Sequence, residues 1–575
     1  MLFRPSRLLV LAVLTAGLAC PGCTLQTQTS DTQAGQAGAA PSAGAGGSSA
    51  GEAGTGGEGG SGGAGGGEGG QGGSENDPCK GVPAEGRCLG PTTIERCVSG
   101  GVPAEGKGEA IPEVVQGTCP SGTVCKQQED WAGCVPEADC VEGASYCEGP
   151  SVRVACVGGT WAKQPCGGEE ECRVSLGGAA CATTASEAGQ TFQIKGTLLY
   201  EYRPVREDRQ GYDAPTLDTG KGLIALAYDG DEYLGGTYTS EEDGTFAIEV
   251  PKKPTAATSI YFFPMLYDEG GVPQFAVAVP ETLSYSNLKS NAYYAFGRTT
   301  GEALDVGQIV VTEAEGSGAI HIHQWVLYSI LQLRLMAPEA KPFNVLALWA
   351  PGKKFDCGNG TCYAPRGWGA TVDYGSGKDF YEGALLIAGT DDTPHEHSAS
   401  VILHEFGHYT MDAYSRSPGE AAPHSLSMLE PPGMAWSEGW ATYLGQGMMQ
   451  NPLYFDKQEG TVWWYNVDKP YPTAPKPDPG GPMDQKIGEG NVTHMLWHLD
   501  DTVDEGWDKS NLQMPAIVQA FASQRVKDKS LNRGYKTVDF VDFLDALRCN
   551  GAPSAGVLSV TKNEGFPYDD EPACK

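Results

Sequence analysis

The strongest constraint on the fold is a duplicated cysteine pattern in the N-terminal third. One set falls at Cys79, Cys88, Cys97, Cys119, Cys125 and Cys134, and a second at Cys140, Cys147, Cys156, Cys166, Cys172 and Cys181. Arg87-Cys88-Leu89-Gly90-Pro91 aligns with Tyr146-Cys147-Glu148-Gly149-Pro150, and Arg96-Cys97-Val98 aligns with Ala155-Cys156-Val157. The steps Cys119 to Cys125 to Cys134 and Cys166 to Cys172 to Cys181 are identical. The chain therefore carries a tandem six-cysteine repeat, at 77–135 and 136–185. Even cysteine counts in an exported chain imply disulfides, three per repeat, and sequence leaves their pairing open. Neither repeat has a Cys-x2-Cys knuckle or a nearby His, which disfavours zinc binding by the cysteines. Units this small bury little apolar surface, and cross-links compensate for that.

The export expectation comes from residues 1–23. Arg4 and Arg7 precede a short apolar run from Leu8 to Leu18, the pattern of a signal peptide. Gly17-Leu18-Ala19-Cys20 resembles a bacterial lipoprotein cleavage box, with Cys20 acylated and Cys23 as a second candidate. That resemblance implies a lipid-anchored protein of the bacterial cell envelope, and plain secretion is the alternative. Residues 24–76 are Gly, Ala, Ser, Gln and Glu with almost no large apolar side chains, and 20 of the chain's 81 Gly lie in this short stretch. Such a segment cannot offset its ordering entropy by burial, so a flexible tether is expected. No later segment is long and apolar enough to span a membrane. The net charge of -33 argues against a nucleic-acid partner, which would demand dense Lys and Arg.

At 575 residues the chain is expected to be multidomain. Residues 190–312 read as a β-sandwich, because Thr245 to Val250 alternates polar and apolar residues after an Asp243-Gly244 turn. Gln193 to Leu198 and Leu223 to Tyr228 are further strands. Leu234-Gly235-Gly236-Thr237-Tyr238-Thr239 followed by Asp243-Gly244-Thr245-Phe246 resembles the transthyretin-like modules appended to secreted peptidases. Residues 315–575 read as an α/β domain with a helical C-terminal part. Its strands are Phe343 to Trp349 and Ala384 to Ala388, and its central helices run from Ser398 to Asp412 and from Ala435 to Met449.

The chemistry concentrates in His404-Glu405-Phe406-Gly407-His408. Two His four apart on a helix share one face and can grip one zinc ion, and Glu405 between them can take a proton from activated water. A metzincin pattern would place a His after a Gly beyond His408, but the next His is His424 and lacks that Gly. Trp436-Ser437-Glu438-Gly439-Trp440-Ala441 instead resembles the Asn-Glu-Gly-Phe-Ala element of gluzincin peptidases. The resemblance implies a zincin-like fold, Zn2+ held by His404, His408 and Glu438, Glu405 as general base, and a protein or peptide substrate. Thermolysin-like enzymes place an Asp where this chain has Thr442, so the groups orienting the ligands must differ. The Pro-rich loop from Tyr409 to Ser437 is longer than in that class and could wall the cleft. His494, Tyr443 and Tyr465 are candidate oxyanion donors, His494 being preferred. Asp391-Asp392 and Asp500-Asp501 could hold Ca2+ but lack EF-hand spacing. Chain order suggests disulfides Cys357–Cys362 and Cys549–Cys574. Two alternatives remain at this point: a non-catalytic surface adhesion protein, and a zinc hydrolase of a non-peptide bond.

Overall fold

The computed structural model describes residues 191–574, apart from 269–271, 359, 375–377, 421–423 and 504–505, together with parts of 82–183. The export signal, Cys20, Cys23, the Gly-rich segment, Cys79 and Cys140 lie outside the described residues. The chain is multidomain, with many β-sheets and several helices.

The cysteine repeats form short antiparallel strands joined by disulfides. Cys119 pairs with Cys134 and Cys166 with Cys181, each closing a separation of 15 residues, so the two repeats are cross-linked alike at this step. Loops of that length confer about 3 kcal/mol each in the chain-entropy account. Cys88 pairs with Cys125, and Cys97, Cys156 and Cys172 are also disulfide-bonded. The expected Cys357–Cys362 and Cys549–Cys574 bonds are both present. The first repeat does not stand apart. Its Ile94, Cys119, Ala132 and Cys134 share one apolar core with Tyr285, Phe355, Trp368 and Ala370. Arg96 Nη2 donates to Arg366 O at 2.8 Å, and the Cys134 N–H donates to Gly367 O.

Residues 192–311 build two four-stranded sheets. One joins Thr216–Thr219, Phe192–Tyr202 and Thr245–Val250, with Asp305–Val311 parallel to the second of these. The other joins Glu232–Tyr238, Ile224–Asp229, Thr258–Phe263 and Phe296–Thr299. The alternation read from Thr245 to Val250 is realised: Phe246, Ile248 and Val250 are buried and their neighbours exposed. An eight-stranded sheet then draws strands from both sides of the composition change near 312–315. Pro273–Pro280 runs parallel to Val345–Trp349, and Lys289–Tyr293 parallel to Ala370–Asp373. Pairing between strands is non-local, which is why composition along the chain does not mark the edge of this sheet.

Helix α1 (Gly318–Met336) packs on this sheet and on α2 (Ala399–Tyr414). Ser398 caps α2, its Oγ accepting the Val401 N–H at 3.3 Å and donating to Phe455 O at 2.7 Å. Ile402, Leu403 and Phe406 point into the core. α3 (Pro432–Met449) begins with Pro at its first position, which suits a helix start. Trp436 and Trp440 of α3 are fully buried. Trp440 stacks on Phe521 of α5 (Gln513–Phe521), and Trp436 on Phe543 of α7 (Phe540–Cys549), with α6 (Gln524–Lys527) between those helices in the chain. α4 (Glu489–Asp500) lies against α3, and α8 (Ser554–Asn563) against α4.

α2 and α3 touch through backbone. A Cβ on Gly407 would come within 2.5 Å of Ala441 Cα and 2.9 Å of Ala441 O. An exposed helical Gly→Ala change would gain about 1 kcal/mol from propensity. Here the neighbour is main chain and cannot yield, so Gly407→Ala is expected to lose about 1–3 kcal/mol net. Denaturant unfolding of the two proteins side by side measures this; a more stable variant would contradict the close approach.

Candidate metal centre and cleft

The contact between α2 and α3 brings three ligand atoms together. His404 Nε2 and His408 Nε2 are 3.2 Å apart and lie 3.2 and 3.3 Å from Glu438 Oε2. α3 also supplies the groups that orient both rings. His404 Nδ1 lies 3.0 Å from Thr442 Oγ1, and His408 Nδ1 lies 3.3 Å from Ser437 Oγ. With Nδ1–H donating to these hydroxyls, each Nε2 turns its lone pair inward. Two lone pairs and a carboxylate oxygen at this separation repel one another unless a cation lies among them. Two imidazoles and a carboxylate form a donor set that zinc takes in catalytic sites, with a fourth position left open. The residues present therefore fit that metal.

Burial pushes the Glu405 carboxyl above its ordinary range, against the pull of His404 and His408. Burial also opposes charge on Glu438, but His408 and His424 outweigh it and hold that carboxyl well below the usual range. The site opens into a cleft of about 1030 Å³ lined by His404, Glu405, His408, Glu438, Tyr454 and Tyr465. One turn beyond His408, Asp412 Oδ2 accepts from Tyr363 OH and from the Arg366 N–H, both at 3.1 Å, tying α2 to the cleft rim. The Pro-rich loop does line the cleft, through Pro418, Glu420, His424 and Leu426.

Two expected oxyanion donors are not brought to this cleft. Tyr443 OH donates to Asp500 Oδ2 at 2.9 Å, inside the contact between α3 and α4. His494 Nδ1 lies 3.0 Å from Val467 O and its Nε2 3.4 Å from Glu564 Oε1. α4 meets α3 through Val492, which sits 2.7 Å from where a Gly439 Cβ would be, so His494 faces elsewhere. Tyr465 does line the cleft. His424, which no spacing singled out as a donor, is buried there, with Nδ1 3.1 Å from Glu489 Oε2. Burial works against its charge, yet Glu438 and Glu489 lift it to about 9. Its location follows from the loop's path, and the only signal in the sequence was the length of that loop.

His424, Glu438 and Glu489 form a second group of metal-ligating type that shares Glu438, and Asp468, His498 and Asp501 form a third. The third group does not line the cleft. Asp391 and Asp392 are exposed.

A family profile described as Mycolysin C-terminal domain matches residues 367–550, a span that contains α2 through α7. No curated protein matches the chain. The family match points to a metalloprotease-type peptidase, a class whose mycolysin-type members use zinc. The disulfides agree with an extracellular location.

Removing the hydroxyl behind His404 tests the orienting role. Thr442→Val is expected to weaken zinc binding by roughly 10–100-fold while leaving the fold intact. Competition against a chromophoric chelator reads the affinity, and an unchanged value would remove Thr442 from the site.

Proposed function

We propose that this chain is an exported zinc metallopeptidase of gluzincin type that hydrolyses internal peptide bonds of protein substrates. The observation that carries the reading is the convergence of His404, His408 and Glu438 at 3.2–3.3 Å with Glu405 beside them in one cleft. A binding protein with a structural metal has no need of a buried carboxylate next to the ligands. The N-terminal residues support anchoring through a lipid on Cys20, with 24–76 as the tether.

Zinc, when bound, supplies a Lewis acid that polarises the scissile carbonyl and brings the pKa of water towards neutrality. Glu405 takes the proton from the attacking water and passes it to the leaving amine. Its raised affinity for a proton suits both steps. Thr442 and Ser437 hold the two imidazoles in register. His424 keeps Nδ1 on Glu489 and offers its other ring nitrogen as a donor to the developing oxyanion, the role first given to His494. The cleft extends from the first cysteine repeat to the segment 527–538, which suits a chain lying through it rather than a terminus docked in it.

The full chain without its export signal, loaded with zinc, tests this on casein. Glu405→Gln is expected to keep zinc and lose about 10³-fold in kcat. Glu438→Ala is expected to lose zinc along with activity, and a chelator should abolish hydrolysis until zinc is restored. Equal activity of wild type and Glu405→Gln would sink the mechanism. His424→Ala separates the oxyanion role: kcat is expected to fall by about 10²-fold with zinc retained and KM little changed. An unaltered kcat would assign that donor to another group.

A further inference from the structure

Strand Glu113–Thr118 of the first cysteine repeat runs beside the catalytic cleft. It ends a three-stranded sheet in the order Arg87–Gly90, Thr93–Val98, Glu113–Thr118, so among the described residues its outer edge has no strand beside it. On its inner side, Thr93 lies opposite Thr118, Glu95 opposite Gln116 and Cys97 opposite Val114. The Thr118 N–H points away from that partner and donates to Ser286 O at 3.3 Å. Main-chain groups along an antiparallel strand alternate between its two edges. The N–H and C=O of Gln116 and Val114 therefore face the same outer side as the Thr118 N–H. Val114, Val115 and Gln116 line the cleft that contains His404, Glu405 and Glu438.

The strand is held firmly in this position. Gly117 is seated so closely on Trp368 that a Cβ there would overlap the indole ring. Arg96 on the adjacent strand donates to Arg366 O, and Cys88–Cys125 and Cys119–Cys134 staple the repeat together. An outward row of main-chain donors and acceptors, rigidly placed along a peptidase cleft, is a template for an extended peptide.

We propose that this edge binds the substrate as an added strand, with Gln116 and Val114 each exchanging N–H to C=O hydrogen bonds with the substrate main chain. The proposal rests on the peptidase reading above. Recognition through main chain is indifferent to the substrate's side chains, so it confers a preference for length and extended conformation over sequence. The first cysteine repeat is then a substrate-positioning part of the enzyme.

Hydrogen exchange on the full chain carrying Glu405→Gln, with zinc and a saturating peptide of about twelve residues (~40 Å when extended), tests the contact directly. The Val114 and Gln116 amides are expected to exchange at least about tenfold more slowly when the peptide is bound. The amides of Val115 and Gly117 already face the neighbouring strand and serve as the internal reference. A second measurement uses Gln116→Pro and Val114→Pro, each of which deletes one outward N–H at a position where an edge strand accommodates Pro. The ratio of kcat/KM for a long peptide to that for a blocked tripeptide is expected to fall about tenfold in each. Bound peptide without protection of either amide overturns the proposal, and so does an unchanged ratio in the folded variants. Failure of wild type to cleave any peptide would instead remove the peptidase reading, and this contact with it.

Discussion

The catalytic half of the chain depends on one contact, the main-chain approach of α2 to α3 at Gly407 and Ala441. All three expected ligands, their two orienting hydroxyls and Glu405 lie on these two helices. Sliding one helix by a fraction of a turn would separate Glu438 from both imidazoles. The contact is fixed from outside by the burial of Trp436 and Trp440 against Phe543 and Phe521. The small residue beside His408 and the aromatic residues beside Glu438 thus serve one purpose from opposite sides. One lets the helices meet, and the others press them together.

What was legible in the sequence was local. His404, Glu405 and His408 follow from helical spacing, and Glu438 from a short flanking pattern. The structure places all four within one cleft. Thr442 stood out as a departure from a familiar pattern, and its hydroxyl sits on His404 Nδ1, where thermolysin-like enzymes place an Asp. A neutral hydroxyl in that place carries less negative charge beside His404 than a carboxylate would. The strand at Thr245 to Val250 was readable because one face is wet and the other dry.

What was not legible depends on distant parts of the chain. His494 reads from the sequence as an oxyanion donor, but the direction in which α4 presents it is set by Val492 against Gly439 and by Glu564 on the far side. His424 sits in a Pro-rich connection with no periodicity to read. Nothing near 312–315 in composition reveals that strands before and after it share a sheet. These features are decided by packing between segments more than 50 residues apart, which one-dimensional patterns do not encode.

The apolar core that the first cysteine repeat shares with the catalytic sheet has a practical side. Ile94, Cys119, Ala132 and Cys134 cover Tyr285, Phe355 and Trp368. A chain trimmed back to the peptidase region would uncover the Trp368 indole, on which Gly117 of the repeat is seated. Patches of that kind drive self-association. Such a fragment would be sticky in solution for reasons unrelated to its catalytic residues. The cysteine repeat therefore shields apolar surface of the peptidase region as well as forming a piece of its architecture.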